Sequence, residues 1–242
     1  MKKLYLPSLT LAGAVFNDSP ELLERTCRVL RYCHTLFDCG STLLFTATSP
    51  HEWFTKLFNS RVIQIPHLDR DAFQTWVVKS VEPYVQSDFL MWVGEDGFPL
   101  RPERWSDDFL LYDFLGAPWA DGVVGNDGFC IQSRRYLYTL AHEMPWHPGG
   151  RNSDWWALHD NDPAKYGLSI APVDVARRFS LETLLNPDYP DASAFGFHGR
   201  QVNPHDYQWG WTLIEASEND AAPGLVGPST PESSGPPGAA VK

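Results

Sequence analysis

Two adjacent carboxylates, Glu95 and Asp96, stand between Gly94 and Gly97 at the end of the apolar run 89–93. Oxygen ligands in that place suit a hard divalent cation, magnesium or manganese, which takes its remaining ligands from phosphate and water. A solvated acidic turn would use the same residues, and the residues alone leave both readings open. His198 lies in Gly196-Phe197-His198-Gly199. Small neighbours let an imidazole approach a metal or a phosphate closely, whereas Phe195 and Phe197 could bury it as an ordinary hydrogen-bonded side chain. Asn152-Ser153-Asp154-Trp155-Trp156 is followed by His159, Asp160 and Asp162. A carboxylate in such a loop can act as a general base on a hydroxyl, with tryptophan walls stacking a sugar ring. It can equally be a polar loop whose acids cap turns. Gly125-Asn126-Asp127-Gly128 offers exposed backbone N–H groups and short polar side chains, and also fits a hairpin turn.

These residues need elements to hold them. The run 9–16 reads as a strand ending at Asn17-Asp18-Ser19-Pro20, where Ser19 or Asp18 caps a helix that has Pro20 in its first turn. Apolar spacing extends that helix over 21–37, with Gly40 as its stop. A strand over 41–46, a helix over 50–58, a strand over 61–65, a helix over 69–85 and a strand over 89–93 follow. This alternation predicts a mostly parallel sheet with helices on both faces. Beyond it, 129–132 reads as a strand, 134–143 as a helix, 145–165 as a long irregular loop, 168–171 as a short strand and 173–179 as a helix. Residues 1–215 are expected to form one domain. The Pro-, Gly- and Ser-rich remainder, 216–242, is expected to be disordered.

Composition narrows the class. The chain has 242 residues, a formal charge of −11, 14% aromatic residues and no Lys/Arg run, which argues against a basic nucleic-acid face. Cys27, Cys33, Cys39 and Cys130 form no C-x-x-C motif and read as buried free thiols of a reducing compartment. The N-terminal stretch has two lysines and an apolar run. Pro7 interrupts that run, so it reads as the first strand of a cytoplasmic protein rather than a signal peptide. No segment reaches the roughly 18–20 apolar residues of a membrane span. P-loop, dinucleotide-binding, nucleophile-elbow and H-E-x-x-H motifs are all missing.

Taken together, EDGF, YDFLGAPW, VGNDGFCIQSR, the acidic loop, IAPVDVARRFSLE and FGFHG resemble a bacterial and viral family of GT-A glycosyltransferase-like domains. The resemblance spans residues 89–199. It implies an α/β fold, a three-layer α/β/α sandwich around a mostly parallel sheet, and transfer of a sugar from a nucleotide-diphosphate sugar. In that reading Asp96, with Glu95 and His198, holds Mn2+ or Mg2+ on the donor diphosphate. Asp154 is the base of an inverting transfer. Phe16, Asn17 and Thr46 at the first strand ends meet the nucleotide, and Trp119, Asn126, Asp127 and Trp155 meet sugar or acceptor. The acceptor would be a glycan, a protein or a modified base such as a hydroxymethyl pyrimidine. The chain departs from the resembled pattern twice: Ser153 replaces an acid before Asp154, and Asp127 replaces a glycine. Those departures keep a non-catalytic nucleotide-sugar-binding module as the alternative. A phosphohydrolase using Asp96, Asp154, Asp160 and His198 would need two metals and more convergent ligands.

Overall fold

A computed structural model describes residues 3–50, 52–56, 60–147, 152–182 and 194–220. Strand β1 (Leu4–Val15) has Leu9, Thr10, Leu11 and Ala12 wholly buried, as a strand covered on both faces must be. The Ser19 hydroxyl accepts the Leu22 N–H at 3.2 Å and starts helix α1 (Pro20–Leu36). Strand β2 (Phe37–Thr46) follows with no loop, so Gly40 does not stop the helix. It lies instead beside the register shift between Leu6 and Thr10, where a Cβ would stand 2.3 Å from the Pro7 carbonyl oxygen. The glycine lets the two backbones approach.

Helix α2 is confined to Glu52–Thr55, and strand β3 spans Ser60–Gln64; residues 51 and 57–59 of the expected helix lie outside the described residues. Helix α3 (Arg70–Ser80) is capped by Asp69, whose Oδ1 accepts the Ala72 N–H at 2.8 Å. It stops short of the expected 85 because Pro83 lacks the N–H that would extend it, and a 3-10 turn over Glu82–Tyr84 replaces it. Strands β4 (Phe89–Trp92), β5 (Gly97–Pro99), β6 (Phe114–Leu115) and β7 (Cys130–Ser133) come next, then helix α4 (Arg134–His142).

The main sheet has the order β3-β2-β1-β4-β7-β6. Its first four strands are parallel, as expected, but β7 runs antiparallel to both β4 and β6, so the sheet is mixed. The chain leaves β1 on one side for β2 and β3, then returns to its other side for β4. That reversal is a topological switch point, and it opens a crevice at the carboxyl ends of β1 and β4. Helices cover both faces. Gly13, whose register partner is Leu44, packs on Thr26 and Leu30 of α1, while the next residue of β2, Phe45, meets Trp76 of α3.

The segment expected to be an irregular loop holds α5 (Ser153–Trp155), a π-helical turn (Trp156–Asp160) and a 3-10 turn (Pro163–Tyr166). The expected strand 168–171 is reduced to a single bridge between Phe114 and Ile170. Helix α6 (Val173–Phe179) leads into β8 (Ser180–Leu181), which joins β9 (Gly196–His198) and β5 in a second sheet of order β5-β9-β8. Helix α7 (Pro204–Asp220) crosses the boundary expected at 216. Glu218 makes two 2.8 Å contacts with Arg28 and also pairs with Arg31, which fixes that last turn against α1. Residues 221–242 lie outside the described residues. All four cysteines are free and buried. Among the described residues no helix is long and apolar enough to cross a membrane.

Candidate functional site

The crevice predicted by the strand order is real: a cavity of about 280 Å³ lies at the ends of β1 and β4. Its apolar side includes Phe16 and Phe73, stacked at 4.1 Å, together with Val93. Glu95, Asp96 and Asp127 also line it, and among the described residues no lysine or arginine does.

Glu95 and Asp96 form the tip between β4 and β5, closed by the Gly94 N–H to the Gly97 carbonyl at 2.9 Å. The neighbours part company there. Glu95 Oε2 accepts from the Tyr207 hydroxyl at 3.1 Å and from Arg25 at 3.4 Å, so this carboxylate ties β4 to α1 and α7. Asp96 is 40% exposed, and its Oδ1 stands 3.9 Å from His198 Nε2. The imidazole reaches that place because two glycines make room for it. A Cβ at Gly97 would lie 2.7 Å from the ring, and one at Gly128 would lie 2.0 Å from Nε2. Asn203 pins the same strand end, its amide donating to the carbonyls of Leu181, Glu182 and His198 at 3.1, 2.9 and 2.7 Å. Burial lowers the pKa of His198, but Glu182, Asp96 and Asp127 outweigh it and hold the imidazole above its usual value. The Glu182 carboxylate is 3.7 Å from Nδ1, too far for a hydrogen bond, and Nδ1 has no hydrogen-bond partner among the described residues.

A second pair of acids sits beside Gly128. Asn126 adopts a left-handed backbone (φ 68°), which asparagine tolerates, and its buried amide nitrogen has no partner among the described residues. Asp127 Oδ2 accepts from the Ser153 hydroxyl. Asp154 Oδ2 accepts the Asp127 N–H at 3.2 Å, and its Oδ1 accepts the Trp155 N–H at 2.7 Å. Ser153 is itself held by Gln74 of α3, which accepts its N–H at 2.7 Å. Burial, and then the Asp127 carboxyl, push Asp154 up to about 7. Burial raises Asp127 as well, opposed by the Ser153 hydrogen bond. Two carboxyls so close resist ionising together.

Phe16 lines the cavity. Asn17 follows it, half-buried with an unpartnered Oδ1, outside the lining. Thr46 is not brought to the cavity: its hydroxyl donates to the Thr48 carbonyl at 2.7 Å and accepts the Thr48 N–H at 3.1 Å, closing the turn after β2. Trp119 lies flat on Gly125, where a Cβ would be 2.2 Å from the ring. With His159 and Trp155 it forms a ring cluster in which Trp155 and His159 stack at 3.9 Å, beside the acid pair rather than in the cavity. Asp160 is exposed, and Asp162 caps the following turn through the Ala164 N–H at 3.1 Å. Sequence reasoning missed Phe73, Gln74, Glu182 and Asn203. Each is an unremarked residue until the fold brings it beside a distant one.

Fold and site therefore define a mixed α/β protein with an acid-lined cavity at its switch point. Residues 71–198, more than half of the chain, match a family described as "Protein of unknown function (DUF5672)", and the chain belongs to that family. No curated protein matches the sequence. Among solved structures, one titled "Crystal structure of a glycosyltransferase involved in the glycosylation of the major capsid of PBCV-1" is similar. Identity is 14% and the TM-score 0.47, over 85% of this chain and 100% of that one.

Proposed function

We propose that this protein is a metal-dependent, inverting glycosyltransferase of GT-A architecture that moves a sugar from a nucleotide-diphosphate sugar to an acceptor hydroxyl. The observation that carries the reading is the cavity's polarity. Stacked phenyl rings stand at the switch point, the Asp96–His198 pair stands at the strand tip, and the Asp127–Asp154 carboxyl pair stands next to it.

The spacing of two side chains supports a divalent cation in this reading. Two ligands each about 2.1–2.2 Å from one ion stand roughly 3–4.3 Å apart. The 3.9 Å between Asp96 Oδ1 and His198 Nε2 falls in that window. Among the described residues no third His, Cys, Asp or Glu completes a set. Asp96 and His198 would hold the ion, and phosphate and water oxygens would supply the rest. Among the described residues the lining carries three acids and no lysine or arginine, so positive charge for a diphosphate would come from the ion, with Arg25 beside Glu95. Bound there, magnesium or manganese supplies positive charge to the leaving diphosphate. The protein's own residues do the remainder. Phe16 and Phe73 present an apolar wall to the nucleoside, the strand ends orient the donor, and the carboxyl pair containing Asp154 receives the acceptor proton. Glu95 braces the tip through Arg25 and Tyr207.

The wild-type protein, incubated with a panel of nucleotide sugars and manganese, is expected to release nucleoside diphosphate from one of them and to stop when the metal is chelated. Metal-dependent binding with no turnover on any acceptor would identify a binding module instead. A panel that neither binds nor turns over would reject the glycosyltransferase reading.

A further inference from the structure

We infer that Asp127, rather than Asp154, is the catalytic residue that takes the acceptor proton, with Asp154 behind it as a positioning residue. The inference rests on the glycosyltransferase reading above. A general base must come within about 2.6–3.2 Å of the proton it removes, so it must border the space the substrate occupies. Asp127 lines the cavity and keeps part of its surface open. Asp154 is 7% exposed and does not line it.

The hydrogen bonds point the same way. Both Asp154 oxygens are engaged by backbone N–H groups, one of them the N–H of Asp127 itself. Asp154 therefore fixes where the backbone of residue 127 lies. The Ser153 hydroxyl donates to Asp127 Oδ2 and sets the plane of that carboxyl. The left-handed Asn126 turns the chain just before it. In the step so assigned, the acceptor oxygen forms a bond to the anomeric carbon. The bond from that carbon to the phosphate oxygen breaks, and its electron pair leaves with the nucleoside diphosphate. The hydroxyl proton moves to a carboxylate oxygen of Asp127.

Ser153 also supplies a test. Its hydroxyl reaches the Asp127 carboxyl, so a glutamate at 153, two atoms longer, can return a carboxylate to that place. Donor affinity by calorimetry and steady-state transfer are measured together for wild type, Asp127→Asn, Asp154→Asn, Asp127→Ala, and Asp127→Ala combined with Ser153→Glu. Asp127→Asn is expected to lose on the order of 10³-fold in kcat with donor affinity kept, the loss typical of a deleted base. Asp154→Asn is expected to lose about 10-fold, because its amide oxygen still accepts a backbone N–H. Added formate, or the Ser153→Glu change, is expected to restore transfer to Asp127→Ala by about 10-fold or more. Retained transfer in Asp127→Asn with a 10³-fold loss in Asp154→Asn would overturn the assignment and return the base to Asp154. A wild type that turns over no nucleotide sugar would overturn the functional reading itself, and this assignment with it.

Discussion

Asp96→Ala is expected to lower nucleotide-sugar turnover on the order of 10³-fold while leaving the fold intact, the size of loss seen when a group stabilising transition-state charge is removed. Asp96 is 40% exposed, and its side chain meets His198 only at 3.9 Å. Its structural contact is made by the backbone, whose carbonyl accepts the Gly199 N–H at 2.8 Å and survives the substitution. Surface changes of this kind stay within about 0.5 kcal/mol. His198→Ala is expected to match the loss in turnover. Glu95→Ala should behave differently, because its carboxylate is held by Arg25 and Tyr207. Turnover should fall less than about 10-fold, with a drop in thermal stability from the lost brace. Steady-state rates and melting curves for the three variants decide the matter. Unchanged turnover in Asp96→Ala would remove it from the site, and equal losses in Asp96→Ala and Glu95→Ala would remove the division of labour between them.

The second large effect is a stability change that depends on pH. Asp154 is raised from an ordinary 3.8 to about 7, by burial first and by Asp127 second. A carboxyl raised in the folded state stabilises fully below pH 4, and that contribution is lost as pH rises through 7. Asp127 is shifted the same way, so the pair adds to one trend. Asp154→Asn deletes the trend at this site and relieves Asp127 of its neighbour. At about 1.4 kcal/mol per pKa unit, and with the pair sharing the cost, the variant should gain about 2 kcal/mol on wild type between pH 5 and pH 8. That is a relative rise of roughly 4–8 °C in Tm for a chain of this size. An offset in Tm at pH 5 is expected as well, since an amide can serve only one of the two N–H groups now accepted. The informative quantity is the growth of the difference with pH, read by calorimetric melting at both values. A Tm difference that stays flat from pH 5 to pH 8 would mean that the pair does not carry the buried proton. Transfer should fall in the same variant, a trade of stability for activity.

Some residues of the candidate site stood out before the fold was known. Asp96 follows a strand and precedes a glycine, and His198 lies between glycines, so both stood out as groups that could approach a ligand. What single residues could not say is which neighbour does what. Glu95 and Asp96 are indistinguishable in sequence, and only the arrival of Arg25 and Tyr207 from α1 and α7 separates them. Thr46 ends a strand beside the crevice as any nucleotide-contacting residue would, yet its hydroxyl is spent on the Thr48 backbone. The glycine of the Gly125–Gly128 turn that matters most for His198 is Gly128, a contact across 70 residues that no local pattern encodes.

The same limit applies to the fold. Alternation of strands and helices foretells the parallel half of the sheet, because each crossover imposes its own direction. Cys130–Ser133 is four buried residues with no periodicity to announce that the strand runs antiparallel. Strands β5, β8 and β9 are two or three residues long, shorter than any pattern that could reveal them. The two departures from the resembled motifs, Ser153 and Asp127, appear unrelated in sequence. In the structure they are the two ends of one hydrogen bond.

A metal-held donor site is tested by calorimetric titration of the wild-type protein with a nucleoside diphosphate, with manganese and again with the metal chelated. One site per chain is expected, with binding that depends on the metal and is lost in Asp96→Ala. Equal affinity with and without the metal, or none in either, would contradict it.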